Sequence, residues 1–370
     1  MVKISTNTTN TSPIQVTPCA DFCINSGLSH TFDVGIRVTD NQQSAKLENF
    51  EMVVELSVVK ATNVTSVSEY SSAGLVISTN SENKTATITD GKSMEGSVEI
   101  PAIVKDENNV AYTVTTIGDL AFYKSGKGQY TPITDVVIPN SVTTIESYAF
   151  RGCKDLTKVV IKSGVTTIGS GAFYSCTSLV DIAIPSSVTT IGSSAFESCG
   201  SLVEIAIPNS VTTIDANVFQ NCTQLVSVII PNSVTTIGNS MFSGCSSLVE
   251  IVIPSGVTTI GNQAFYNCIS LVEISIPNNV TTIGDRAFEN CAQLASVAIP
   301  SSVTTIGYQA FYKCSNLTSI TVSAITPPDA GSSCFANTND CPIYVPADSV
   351  ETYKTAAYWG EYASRIQAIA

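Results

Sequence analysis

The sequence predicts a repeat solenoid of short parallel strands, preceded by a small all-β domain and closed by a strand–helix cap. Three observations predict it. A phenylalanine returns every 23 residues, at Phe150, Phe173, Phe196, Phe219, Phe242, Phe265, Phe288 and Phe311. A cysteine keeps the same step three residues later, from Cys153 to Cys314. Leu, Ile, Ile, Val and Ile stand at fixed offsets between them, as in Leu202, Ile205, Ile207, Val211 and Ile214. A fixed period of this length means stacked supersecondary units, none of which can bury its apolar face alone.

Residues 1–18 are Thr/Asn-rich and are expected to form a mobile arm. Residues 19–90 read as a small all-β domain or β cap. Phe32, Val34, Ile36 and Val38 alternate, and Glu51 to Val59 and Leu75 to Ile88 are also β-like. Residues 91–132 are an irregular first repeat. Val98, Ile100 and Pro101 match the repeat strand, Val114 to Phe122 match its second half, and two insertions interrupt the pattern. Residues 133–316 hold eight uninterrupted units of 23 residues.

Within a unit, Leu, Ile and Ile point inward from a short strand and proline then ends it, because proline donates no ladder hydrogen bond. Val and Ile bracket an outward Thr-Thr pair on a second face. Glycine follows and is expected to permit a sharp turn. The A-F-x-x-C segment has helical or 3₁₀ spacing. Residues 317–370 are a last repeat, altered by Pro327 and Pro328, and a cap. In the cap, Ile343 to Val345 form a strand and Asp348 begins a helix with Glu351 three residues on, a capping-box spacing. Tyr353, Tyr358 and Trp359 are expected to cover the open end of the core.

Composition excludes several functions. The net charge of -13 opposes binding to nucleic acid or to an anionic membrane surface. No stretch is apolar enough to span a bilayer. The N-terminal residues lack the apolar core of a secretory leader, so a leader has been removed or the protein reaches its place by another route. His30 is the single histidine and lies outside the repeats. No phosphate loop, G-x-G-x-x-G or G-x-S-x-G occurs, so catalysis and cofactors are not expected.

Of the twelve cysteines, eight belong to the periodic column. Stacked equivalents point the same way, which is poor geometry for bridging, and they read as buried free thiols. Cys19–Cys23 and Cys334–Cys341 remain open as disulfides. No Cys-x-x-Cys pair suggests zinc.

The repeated I-P-x-S-V-T-T-I-G-x-x-A-F-x-x-C-x-x-L resembles the BspA-like bacterial surface leucine-rich repeats. The run Ile343 to Lys354 with Trp359 is similar to the closing cap of those proteins, and Val98 to Phe122 to their first repeat. The resemblance covers about residues 95–370. It implies a leucine-rich-repeat right-handed coil with strands on its concave face, an extracellular or cell-surface place, and adhesion to host or microbial partners. It implies no catalytic residue. Glu146 and Asp215 replace the repeat glycine and put the local turn geometry in question.

The outward strand positions form three columns. In the central units they place Val180, Asp181, Ala183, Val203, Glu204, Ala206, Ile229, Val249, Glu250, Val252, Val272, Glu273 and Ser275 together as the candidate binding face. An apolar stripe then lies beside an acidic one, and such an exposed strip marks an interaction site. Strand propensity explains the Val and Thr residues equally well. Adjacent Glu250 and Glu273 would repel by about 0.8 kcal/mol at strand spacing in water, which a basic ligand would relieve; calcium is a weaker reading. The regular Thr ladder also raises ice binding as a minor reading.

The leading expectation is a non-enzymatic, adhesin-like surface protein that presents its concave face to a host or microbial protein or glycan. The alternatives are a decoration or fibre subunit of a virion or surface assembly, and an accessory module whose N-terminal β domain reads carbohydrate.

Overall fold

The computed structural model describes residues 2–5, 53–56, 74–106, 108–126 and 128–369. The chain divides into two compact units, Met1–Ser66 and Val67–Ala370. In the first, Val2–Ser5 pairs antiparallel with Val53–Leu56, so the segment expected to be a mobile arm begins with a strand. The Phe32–Val38 alternation, His30, Cys19 and Cys23 lie outside the described residues.

The second unit is a parallel-strand coil. Each turn contributes a first strand, such as Lys158–Ile161, Asp181–Ala183 or Glu250–Val252, and a two-residue second strand, such as Thr167–Ile168 or Thr259–Ile260. Equivalent strands stack in parallel one unit apart, Lys158 on Asp181 and Thr167 on Thr190. Inward Leu, Ile, Val, Phe and Cys of every unit join one continuous core.

The coil starts earlier than the sequence suggests. The hairpin Val76–Asn80 and Thr85–Asp90 falls within the expected N-terminal β domain, but Thr85–Ile88 pairs in parallel with the second strand Ala111–Ile117. The hairpin closes the stack, and its outer strand Val76–Asn80 is mostly solvent-exposed.

The phenylalanine side corrects a second expectation. A-F-x-x-C forms no helix. Two residues per unit adopt left-handed conformations, for example Ser194 (φ 58) and Ser198 (φ 61), or Gln263 (φ 56) and Asn267 (φ 59). These kinks turn alternate amides onto the next unit instead of back along the chain. Ser194, Phe196 and Ser198 donate to the carbonyls of Ala216, Val218 and Gln220 at 3.0, 3.0 and 2.7 Å. The backbone groups freed by losing a helix are thereby satisfied between units.

The phenylalanine rings themselves stack face to face. From Phe150 to Phe311 neighbouring rings lie within 13° of parallel, with centroids 5.0–5.8 Å apart. Near-parallel rings at equivalent positions follow the local rise per unit. Hydrogen-bonded strands rise by only about 4.8 Å. The ring edge is therefore the outer edge of the coil and the first strands line its concave side.

The repeat glycine serves close approach rather than a sharp turn. A Cβ on Gly284 would sit 2.6 Å from the Asn262 amide nitrogen and 2.7 Å from the Gly261 carbonyl carbon. Asp215 brings such a Cβ; its amide keeps the bond to Ile191 O at 3.1 Å, and the ladder opens on the following side of the turn. Ile214 becomes half-buried where its counterparts are buried, and Thr213 and Thr236 become exposed. The second-strand sheet ends at Thr213–Ile214 and a new one begins at Thr236–Ile237. Phe196–Phe219 and Phe219–Phe242 show the widest ring spacings, 5.8 and 5.7 Å. Glu146 turns its side chain towards the irregular first repeat, where its carboxylate accepts the Asp119 amide at 2.9 Å.

Asp215→Gly is expected to close this seam. The Thr235 and Gly238 amides, without the cross-unit partners that Thr258 and Gly261 have, should become protected in hydrogen exchange, with a gain of about 1 kcal/mol. Unchanged exchange at those two amides would show that the aspartate does not cause the break.

The C-terminal cap also departs in detail. Pro346 and Ser349 head a short 3₁₀ turn and the helix Val350–Thr355, with no side-chain cap. Glu351 pairs instead with Lys354 at 2.9 Å, so the expected capping box does not form. Tyr353 and Trp359 are buried over the last ring, Phe335, and Tyr362 joins them, whereas Tyr358 is 49% exposed. Left-handed Tyr358 (φ 61) points its ring outward at the kink between the two helical turns.

Candidate binding face

Each first strand alternates exposed, buried, exposed. The inward Ile is locked in the core, so the two flanking side chains must face the concave surface. All thirteen residues singled out from the sequence are exposed there. Val180 is 51%, Ile229 64% and Val252 81% exposed. Val203, Val226, Val249 and Val272 continue the apolar column.

Register aligns the charges as well. Glu250 stands beside Glu273, and Glu204 beside Ser227. Lys158 bonds Asp181 at 2.8 Å, which raises the Lys158 pKa. No Lys, Arg or His occurs between Lys162 and Arg286, while Asp181, Glu197, Glu204, Asp215, Glu250, Glu273 and Asp285 fall in that span. The face therefore has an ion pair at one end and unneutralised carboxylates along its middle.

The first-strand ladder is interrupted after Ala183, Ile229 and Ser275. The middle of the face is built of doublets, Glu204–Ala206 with Ser227–Ile229 and Glu250–Val252 with Glu273–Ser275. The strands on either side of an interruption stay adjacent, and at the third the Ala295 amide still donates to Val272 O at 3.1 Å. This feature has no signature in the repeat sequence.

The Thr column has a structural explanation. Thr166, Thr189, Thr258, Thr281 and Thr304 each donate their hydroxyl to the threonine carbonyl one unit back, at 3.2–3.3 Å. The donors are used inside the stack.

The cysteines are also internal. All ten described ones are free and buried, including Cys334 and Cys341. The bridge left open for that pair does not form; Cys341 faces Arg365, whose Nη2 lies 3.5 Å from its sulfur. In the periodic column each Sγ–H donates to the phenylalanine carbonyl of the unit before it, Cys222 to Phe196 at 3.1 Å. Burial pushes the Cys222 thiol up to about 12.

The described residues contain no cluster of His, Cys, Asp or Glu suited to a metal ion. No described helix is long and apolar enough to cross a membrane. A second cluster surrounds Arg151 on the opposite edge of the coil; its signal in the sequence is a group of departures from the repeat, of which the substitution of Glu146 for the repeat glycine is the first.

Comparison with known proteins agrees with this architecture. A leucine-rich repeat protein from Bacteroides ovatus is 27% identical, with a TM-score of 0.66, over 80% of this chain and 75% of that one. A leucine rich cell surface protein from Faecalibacterium prausnitzii is 28% identical, with a TM-score of 0.51, over 80% of this chain and 92% of that one. No curated protein matches the chain. The model of the BspA type leucine-rich repeat region matches residues 115–249 and 235–363. With its ring-stacked units and its strand-lined concave side, the chain belongs to the BspA-type leucine-rich repeat family.

Proposed function

We propose that the protein is a non-enzymatic cell-surface binding protein whose concave face takes a partner protein or glycan. One observation carries this reading: an exposed apolar column, Val180 to Val272, beside unneutralised Glu204, Glu250 and Glu273. Val252 and Ile229 are the most exposed of these side chains, and desolvating them on a partner is favourable at about 25 cal/mol per Å². The charge favours a segment carrying Lys or Arg among apolar residues. The surface location is supported by the family and by the Faecalibacterium neighbour, which is described as a cell surface protein.

The test is a binding array of host and microbial surface proteins and glycans, followed by a variant with Val203, Val249 and Val272 changed to Lys. Binding should fall by a factor of about ten or more, since the loss of three apolar contacts exceeds 1.4 kcal/mol. Undiminished binding by a variant with unchanged melting temperature would move the site off this face.

A further inference from the structure

We propose a second site, for a carboxylate-bearing sugar, at the Arg151 cluster on the outer edge of the first units. In a repeat protein the common residues serve the stack, so departures that gather in one place mark a specific purpose. Four gather here. Glu146 replaces the repeat glycine, Tyr148 fills a position held by small or polar residues in most later units, Arg151 occurs once at its position, and Gly171 is the one glycine in the Tyr148 column. The last two are matched to the second: a Cβ on Gly171 would collide with the Tyr148 ring, and the guanidinium packs on that ring.

The Arg151 guanidinium lies 4.9 Å from the Tyr123 ring centroid and 5.3 Å from those of Tyr148 and Tyr174. Tyr148 and Tyr174 meet edge to face at 6.5 Å. Aromatic rings hold the cation by its faces, and its N–H edge finds no acceptor among the described residues. The other described arginines are engaged: Arg286 with Glu289 at 3.5 Å, and Arg365 with Cys341 O, Phe335 O and Thr338 Oγ1. Arg151 is thus oriented, half-buried and without a hydrogen-bond acceptor.

It borders a shallow, open depression of about 740 Å³ lined by Tyr148, Glu146, Asp119, Thr144 and Thr167. The guanidinium fork fits a planar carboxylate. One Glu146 oxygen accepts the Asp119 amide at 2.9 Å, and the exposed Asp119 side chain stands beside it. These acceptors oppose a compact phosphate or sulfate. They suit hydroxyl donors set apart from a single negative charge. A uronic acid residue combines these features, with a ring face for tyrosine, one carboxylate for Arg151 and hydroxyls for the acids.

The site is separate from the concave face, so its test is independent of that reading. The probe is trigalacturonic acid, titrated by NMR against the full chain, with its methyl ester, a poly-glutamate peptide and sulfate as comparisons. The acid is expected to bind and to shift the Arg151 and Tyr148 signals. Arg151→Gln and Arg151→Lys should each weaken it about tenfold or more, because lysine lacks the fork, and Tyr148→Ala should weaken it as well. The triple lysine variant of the concave face should bind it as wild type does. The proposal is overturned if the acid does not bind, if the ester binds equally, if poly-glutamate or sulfate competes as well as the acid, or if Arg151→Lys binds normally. Unchanged melting of the variants separates loss of the site from loss of fold.

Discussion

Raising the pH from 7 to 9.5 is expected to destabilise the coil steeply. The cause is the thiol column. Burial raises the pKa of Cys153, Cys176, Cys199, Cys222, Cys245, Cys268 and Cys291, and nothing in their surroundings offers a counter-charge. In the unfolded chain a thiol releases its proton near pH 8.5. The folded state holds more protons above that pH, so stability is full below about pH 8 and falls as pH rises toward the folded values. At pH 9.5 each thiol contributes about 1.4 kcal/mol of loss. Seven together reach on the order of 10 kcal/mol, comparable to the whole stability of a domain. Lysine and tyrosine ionise mainly above this range, so thiols dominate it. The measurement is the urea midpoint at pH 7 and at pH 9.5. Changing Cys199, Cys222, Cys245 and Cys268 to Ser keeps an O–H for the phenylalanine carbonyls and removes the titration. That variant should lose about half as much stability over the same range. A wild-type midpoint that does not move would show that the thiols are accessible in the folded chain.

The same column shows what could be read in the sequence. The period fixes which residues are inside, because a unit that repeats Leu, Ile, Ile, Val, Ile, Phe and Cys has one way to bury them all. The outward columns follow by alternation, and Val180 to Ser275 lie where the strand rule puts them. Events between units are harder to read. Helical spacing at A-F-x-x-C was overridden by amides that bond the next unit, as at Ser194 and Ser198. Glycine signalled a turn, whereas its role is to admit the backbone of the preceding unit, as at Gly284. The interruptions after Ala183, Ile229 and Ser275 depend on small shifts that no single residue announces. Arg151 is not legible as a site, because a lone basic residue in sequence says nothing of three rings folded around it. Departures from the repeat, read across units rather than along one, carry that information.

Phe265→Ala is expected to cost about 3–5 kcal/mol, the range for removing a buried aromatic ring. Phe265 is fully buried and stacked between Phe242 at 5.4 Å and Phe288 at 5.2 Å. Both ring contacts are lost, each worth about 0.5–1.5 kcal/mol beyond area burial. The backbone cannot collapse into the space, since the Phe265 amide is held by Ala287 O at 2.7 Å. Coupling in a solenoid runs only between neighbours, so a weak unit in the middle divides the array. Urea unfolding should therefore broaden or split into two steps, where a terminal variant such as Phe122→Ala would fray one end and keep a single main step. Position along the column adds a sharper test. Phe219 sits in the same unit as Asp215, with spacings of 5.8 and 5.7 Å to its neighbours. Wider gaps forfeit part of the dispersion attraction, so Phe219→Ala should cost less than Phe265→Ala by about 1 kcal/mol. In the Asp215→Gly background that difference should shrink. Equal costs at the two positions in the wild-type chain would mean that the seam lies in the strands alone and leaves the core intact.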